Sequence, residues 1–257
     1  MNLATEIGAA LPTSDLRQCA VLLDIDGTIV DIAPTPRQVS VPSELRRTLA
    51  RLQQITAGAA ALVSGRTLAE IDVLFAPLEL AAIGGHGAEI RAKPQAKIQR
   101  RAKALSDDIK RRLAALTELG PGLLIEDKGY SLALHFRSAP DLGPALHAAV
   151  EQICALAPAG IVEIMPGKAV IEVKPAQVSK AHAVVELMKC PPFAGRFPIF
   201  IGDDVTDEPV FGIIGDLGGR GFSVGRIIPG ANGHFDNPEN VRAWLARIAA
   251  ECSDAAG

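Results

Sequence analysis

Four short polar stretches, each where a hydrophobic run gives way, carry the residues of this chain best suited to chemistry: Asp24-Ile25-Asp26-Gly27-Thr28, Ser64-Gly65-Arg66, Lys180, and Gly202-Asp203-Asp204-Val205-Thr206-Asp207. The first and last bring carboxylates, hard oxygen donors that suit a cation such as Mg²⁺. The other two bring a hydroxyl, backbone N–H groups and an ammonium, which suit an anion. A cation site beside an anion site is the equipment of phosphoryl transfer.

Asp24 and Asp26 stand two apart at the end of an apolar run. An extended backbone there would turn both carboxylates to one side, so that one can attack while the other moves protons. A D-x-D-G turn accounts for the pair equally well when it is taken alone. A calcium loop does not, because it needs Gly at its sixth position and Glu at its twelfth; here Gly27 is fourth and Thr35 twelfth.

Ser64-Gly65-Arg66 runs into Thr67-x-x-Glu70, a capping-box pattern for a helix start. Amide groups at such a start, with the Ser64 hydroxyl and the Gly65 N–H, can hold phosphate oxygens, although an ordinary capped helix carries the same signature. Asp203, Asp204, Asp207 and Glu208 crowd four acids into six residues. Acids in a first helical turn complement the helix dipole, but four at once repel one another without a cation. Lys180 alone reads as a solvated charge and gains its interest from the other three stretches. Gly167-Lys168-Ala169 is not a P-loop, since Gly160 is at the wrong distance and Ala replaces Ser or Thr. The five histidines show no metal-ligand spacing. His86, between Gly85 and Gly87, is the best placed for function.

The elements that must position these groups follow from periodicity. Apolar runs at 19–23, 59–63, 80–83 and 198–201 each end at a polar motif, the pattern of parallel strands buried on both faces. Helical patterns between them argue for a doubly wound, mainly parallel α/β sheet, whose ligands bind beyond the carboxyl ends of the strands. Residues 92–173 read differently. A polar helical stretch at 95–119 precedes the alternation of Tyr130, Leu132, Leu134 and Phe136 with polar or small residues; a second helix at 141–157 precedes a hairpin turning at Pro166-Gly167. In its second arm Lys168, Val170 and Glu172 share one face and Ala169, Ile171 and Val173 the other. This is a small open-faced α+β unit inserted into a core made of 1–91 and 174–257. Asn237-Pro238 starts a final amphipathic helix carrying Val241, Trp244, Leu245 and Ile248.

Composition narrows the classes. The 257 residues, with a formal net charge of -3, offer room for a core plus a smaller unit and no basic field for nucleic acid. Cys19, Cys154, Cys190 and Cys252 are far apart, which fits free thiols in the cytoplasm. No apolar run approaches a membrane span, and the first residues lack a basic region before an apolar stretch, so neither anchoring nor export is expected.

With the motifs in this order, the chain resembles the haloacid dehalogenase superfamily of aspartyl-phosphate phosphatases and, within it, the trehalose-6-phosphate phosphatases. The resemblance covers nearly the whole chain. It rests on the four stretches together with Gly85-His86-Gly87-Ala88-Glu89, Gly167-Lys168-x-x-x-Glu172-Val173-Lys174-Pro175 and Gly202-Asp203-Asp204-x-Thr206-Asp207-Glu208. Ala181 stands where these enzymes often carry Gly. The resemblance implies Asp24 as nucleophile and Asp26 as acid and base. It implies Mg²⁺ on Asp24, the Asp26 carbonyl and Asp203, with Asp204 and Asp207 orienting metal waters and the lysine. Ser64 and Lys180 would hold the phosphoryl oxygens, with Gly65, Arg66 and His86 beside the substrate. The inserted unit would be a mobile cap closing over the sugar through Glu126, Lys128, Arg137, Lys168 and Glu172. The implied reaction releases phosphate from trehalose 6-phosphate in a monomer. Sucrose phosphate, glucosylglycerol phosphate, or a regulatory role beside a trehalose-phosphate synthase are the alternatives.

Overall fold

The structure is a computed structural model that describes residues 16–33, 38–101, 104–158, 160–167, 169–176 and 178–254. Its contacts divide the chain into two compact units, Met1–Gln99 with Ser179–Gly257, and Arg100–Val178. Residues 92–99 therefore sort with the first unit and 174–178 with the second, a few positions from the limits expected above.

The strands, in chain order, are β1 (Cys19–Leu23), β2 (Ala60–Val63), β3 (Ala81–Gly84), β4 (Glu89–Arg91), β5 (Gln99–Arg100), β6 (Leu124–Asp127), β7 (Leu132–His135), β8 (Val162–Gly167), β9 (Val170–Pro175), β10 (Phe197–Gly202), β11 (Arg220–Val224) and β12 (Gly233–Phe235). The larger sheet has the order β12-β11-β10-β1-β2-β3-β4-β5. It is parallel from β12 to β3, and β4 returns antiparallel to β3.

All five residues of β1 are buried because both faces of the sheet are covered. Cys19, Val21 and Leu23 join a cluster with Leu45, Leu49, Phe75, Trp244 and Leu245, whereas Ala20 and Leu22 join one with Val184, Leu187, Val210 and Phe211. The helices Ser43–Ile55, Leu68–Phe75 and Pro238–Asp254 thus lie on one face, and Lys180–Leu187 and Glu208–Ile214 on the other. Strand β1 pairs with β2 on one side and β10 on the other. The winding reverses there, so a crevice opens at its carboxyl end, beside Asp24.

The smaller unit is an antiparallel sheet ordered β6-β7-β9-β8. Leu132, Leu134, Ile171 and Val173 pack with Leu113, Leu146 and Val150 of its two helices. The helix expected at 95–119 is shorter, running Asp107–Ala114 with a 3₁₀ turn Ala115–Leu119 after it. Ser106 caps it by accepting the Ile109 N–H at 3.4 Å, and within the stretch expected to be helical Gln99–Arg100 form strand β5. Edge strand β6 has two apolar residues side by side, Leu124 and Ile125, and carries no alternation that marks it in the sequence.

Candidate active site

Past β1 the backbone does not stay extended: Ile29 N–H donates to Ile25 O at 3.0 Å and Gly27 N–H to Val30 O at 2.8 Å, closing a turn. Asp24 and Asp26 consequently take different partners, contrary to the shared side expected of them. Asp24, buried, accepts Lys180 Nζ at 2.7 Å on Oδ1 and the Thr28 hydroxyl at 3.0 Å on Oδ2. Asp26 is gripped by Arg66, whose Nε and terminal N–H donate to its two oxygens at 2.6 Å each. This bidentate bond raises the Arg66 pKa. Arg66, expected beside the substrate, is thus tied to Asp26.

Lys180 opens the helix Lys180–Leu187, capped by Ser179, whose Oγ accepts the His182 N–H at 3.2 Å. Its ammonium also donates to Asp207 Oδ1 at 2.7 Å. Burial alone would push Lys180 down, but the charges of Asp207 and Asp24 outweigh it and the pKa is raised. Asp207, fully buried, accepts the N–H groups of Asp203 and Asp204 on Oδ2, each at 3.1 Å. Gly202 permits this, since a Cβ there would lie 2.6 Å from the Asp207 Cγ.

Carboxylate oxygens of Asp24, Asp203 and Asp207 lie within 4.8 Å of one another. The one ammonium beside these three acids bonds Asp24 and Asp207 and not Asp203. Burial, helped by Asp207, raises Asp203 to about 6, and burial likewise raises Asp24, against the pull of Lys180. The Thr28 hydroxyl is 3.0 Å from both Asp24 Oδ2 and Asp203 Oδ1 but has a single proton to give. Such a donor set, all oxygen and short of positive charge, fits a hard divalent cation. Gly27 is required beside it: its φ is +82°, and a Cβ would sit 2.1 Å from Asp203 Oδ2.

Asp204 is not brought into this cluster. It is exposed and caps the turn Val205–Asp207, accepting the Val205 N–H at 2.7 Å. Thr28, four residues after Asp24, went unassigned in the sequence; that spacing across a turn is the signal for it.

Ser64 directly follows β2, buried, with its N–H donating to Ile83 O at 2.9 Å and its Oγ accepting the Arg66 N–H at 3.1 Å. The capping box is present: Thr67 Oγ1 accepts the Glu70 N–H at 3.3 Å, and Glu70 accepts the Thr67 N–H at 2.7 Å. His86 lies over Gly65, where a Cβ would come 2.4 Å from the imidazole.

In the smaller unit Glu126, Ala133 and Glu172 are cross-strand neighbours on β6, β7 and β9. Glu172 accepts Lys128 Nζ at 2.9 Å and the Ser131 hydroxyl at 2.8 Å. Glu126 pairs with His135 at 3.0 Å, a bond that lowers its pKa. Neither Ser131 nor His135 stood out in the sequence. Arg137 is exposed just past β7, and Lys168 lies outside the described residues. Among the described residues no helix is long and apolar enough to cross a membrane.

A doubly wound sheet with a buried aspartate, a lysine and further acids at the carboxyl ends of its central strands, interrupted by a separate α+β unit, defines a haloacid dehalogenase-type phosphatase. The family model described as trehalose-phosphatase matches residues 22–225. A probable trehalose-phosphate phosphatase of Sinorhizobium fredii is 41% identical over 241 residues, covering 92% of this chain and 90% of that protein. The trehalose-6-phosphate phosphatase of Escherichia coli is 36% identical over 230 residues, covering 89% and 86%. Among solved structures, the C-terminal domain of C. albicans trehalose-6-phosphate phosphatase superposes with a TM-score of 0.77 at 25% identity, covering 91% of this chain and 93% of that one. The chain belongs to the trehalose-phosphatase family.

Proposed function

We propose that this protein is a Mg²⁺-dependent phosphatase that hydrolyses trehalose 6-phosphate to trehalose and phosphate through a phosphoaspartate. The observation that carries the reading is the buried Asp24 at the end of β1, held by Lys180 and surrounded by Asp203 and Asp207. An Asp24 oxygen attacks phosphorus, the bond to the sugar oxygen breaks, and Asp26, protonated and released from Arg66, donates its proton to that oxygen. Water then attacks the phosphoaspartate, Asp26 takes its proton, and the Asp24–phosphorus linkage breaks to release phosphate. Ser64 and Lys180 hold the phosphoryl oxygens. Mg²⁺ would be held by Asp24, the Asp26 carbonyl and Asp203, supplying the positive charge that lets a carboxylate approach an anionic phosphate.

In the smaller unit Glu126, Lys128, Arg137, Lys168 and Glu172 are assigned to the sugar. Carboxylates accept from hydroxyls and cations donate to them. Glu126 is bonded to His135, and Glu172 to Lys128 and Ser131, partners that sugar hydroxyls can replace. The reading also includes a cytoplasmic monomer. Association with a trehalose-phosphate synthase is tested by copurification of the two proteins. Phosphate release measured with Mg²⁺ across a panel of sugar phosphates tests the substrate: trehalose 6-phosphate should lead, ahead of sucrose and glucosylglycerol phosphates. Equal turnover of glucose 6-phosphate would overturn it.

A further inference from the structure

The segment at residues 84–89, Gly-Gly-His-Gly-Ala-Glu, holds none of the reacting groups, yet it touches two of the stretches that do. On one side it is laced to the Ser64 turn. His86 N–H donates to Ser64 O at 3.0 Å and Gly85 N–H to Arg66 O at 2.7 Å. Glu89 Oε2 accepts the Leu68 N–H at 2.9 Å. The helix that begins at Leu68 already has its capping box from Thr67 and Glu70, so the Glu89 bond is a further one supplied by a different strand. The His86 ring fills the space over Gly65, and His86 itself is held at φ +53°.

On its other side the segment abuts the helix that carries Lys180. Gly87 has φ +108°, and a Cβ there would stand 2.3 Å from Ser179 O and 3.2 Å from the Ala183 Cβ. That carbonyl accepts the Ala183 N–H at 3.2 Å, the first hydrogen bond of the helix. Only glycine lets the backbone come this close. Displacing Ser179 displaces its neighbour Lys180.

We infer that residues 84–89 are a positioning brace, which fixes the Ser64 turn and the start of the Lys180 helix relative to each other and so sets the spacing of the two groups that hold the phosphoryl oxygens. The inference rests on the proposed roles of Ser64 and Lys180. A misplacement of about 1 Å away from the chemistry can cost about 100-fold in rate.

The test uses the full chain with Mg²⁺, following turnover of trehalose 6-phosphate, affinity for inorganic phosphate by calorimetry, and the melting temperature. Gly87→Ala should lower kcat/KM about 100-fold and weaken phosphate binding in a protein that remains folded. Glu89→Ala should lower kcat by about tenfold, the worth of one hydrogen bond to a charged group, while Glu89→Gln, which keeps an acceptor for the Leu68 N–H, should restore most of it. If Gly87→Ala does not fold, the Glu89 pair decides. Wild-type turnover in folded Gly87→Ala and in Glu89→Ala, or a Gln variant no better than Ala, would overturn the brace. Phosphate binding involves no sugar, so a wild type that binds phosphate but leaves trehalose 6-phosphate intact would overturn the substrate and not the brace.

Discussion

The candidate site groups of the two units are held differently, although the smaller unit also buries Lys174 and Glu172. In the larger one Asp24, Lys180 and Asp207 are 4%, 3% and 0% exposed, and each is bonded to another of the three. In the smaller one the side chains of Glu126 and His135 are 40% and 33% exposed, and those of Lys128 and Glu172 17% and 10%. A buried pair robbed of one partner leaves a desolvated charge with nothing to answer it. The Glu126–His135 pair robbed of one partner leaves a group that water reaches, and the Lys128 end of the Lys128–Glu172 pair lies closer to water than Lys180 does. The first arrangement suits a site that must not move during bond making, and the second suits groups that exchange their partners for a ligand.

The largest effect that separates the units is expected at Asp24. Asp24→Asn keeps the shape and removes the nucleophile, and should lower kcat by at least about 1,000-fold. Its fold should survive, because Lys180 still faces Asp207 and one of three crowded charges is gone. Ordinary turnover by the variant would refute the assignment of Asp24. Next is Lys180→Met, which strands Asp24 and Asp207 opposite each other; a loss of about 3–5 kcal/mol in unfolding by denaturant is expected. A loss below about 1 kcal/mol would mean that the larger unit tolerates unpaired charge as the smaller one does, and the contrast would fail.

That contrast was only half visible in the sequence. The buried runs 19–23 and 198–201 ended at Asp24 and Gly202 as the strands β1 and β10 do, since a strand covered on both faces has nowhere to hide a polar residue until it ends. The alternation at 169–173 likewise gave the inward Ile171 and Val173. Partnership was not legible. Asp204 and Asp207 sit in one acidic run, yet one caps a turn in solvent and the other is buried on a lysine 27 positions away. Nothing in the spacing of Asp26 and Arg66, 40 residues apart, announced a bidentate pair. The Gln95 region read as helix because its residues are polar and unbroken, whereas the true start waits for the Ser106 cap.

A metal and pH experiment yields the next largest effect. The folded Asp203 carboxyl holds its proton up to about 6, against an ordinary 3.8. Between those values the unfolded chain has lost that proton and the folded one has kept it, so metal-free stability should fall as pH rises from about 4 to 6, by at most about 3 kcal/mol. Asp24 acts in the same direction. Mg²⁺ at about 100 times its Kd should restore about 2.7 kcal/mol, and more fully at pH 7.5 than at pH 5, where protons compete for the same oxygens. Melting curves with Mg²⁺ and with a chelator check this. Asp203→Asn should flatten the pH slope and shrink the Mg²⁺ effect; an unchanged slope would place the excess charge elsewhere.

The smallest effects belong to the smaller unit, where they should fall on binding rather than on chemistry or folding. Glu172→Gln keeps an oxygen for Lys128 and Ser131 and removes only the charge of a buried residue, so unfolding should change by about 1–2 kcal/mol, less than at Lys180. If Glu172 accepts from sugar hydroxyls, the weaker amide acceptor should raise KM for trehalose 6-phosphate by about tenfold, as one charged hydrogen bond is worth, and leave kcat nearly untouched. Lys128→Met should behave alike, and the double variant should fall short of the product of the two, since each residue is the other's partner at 2.9 Å before any ligand arrives. A drop in kcat with KM unchanged would make Glu172 part of the chemical step, and the division of labour between the two units would have to be drawn elsewhere.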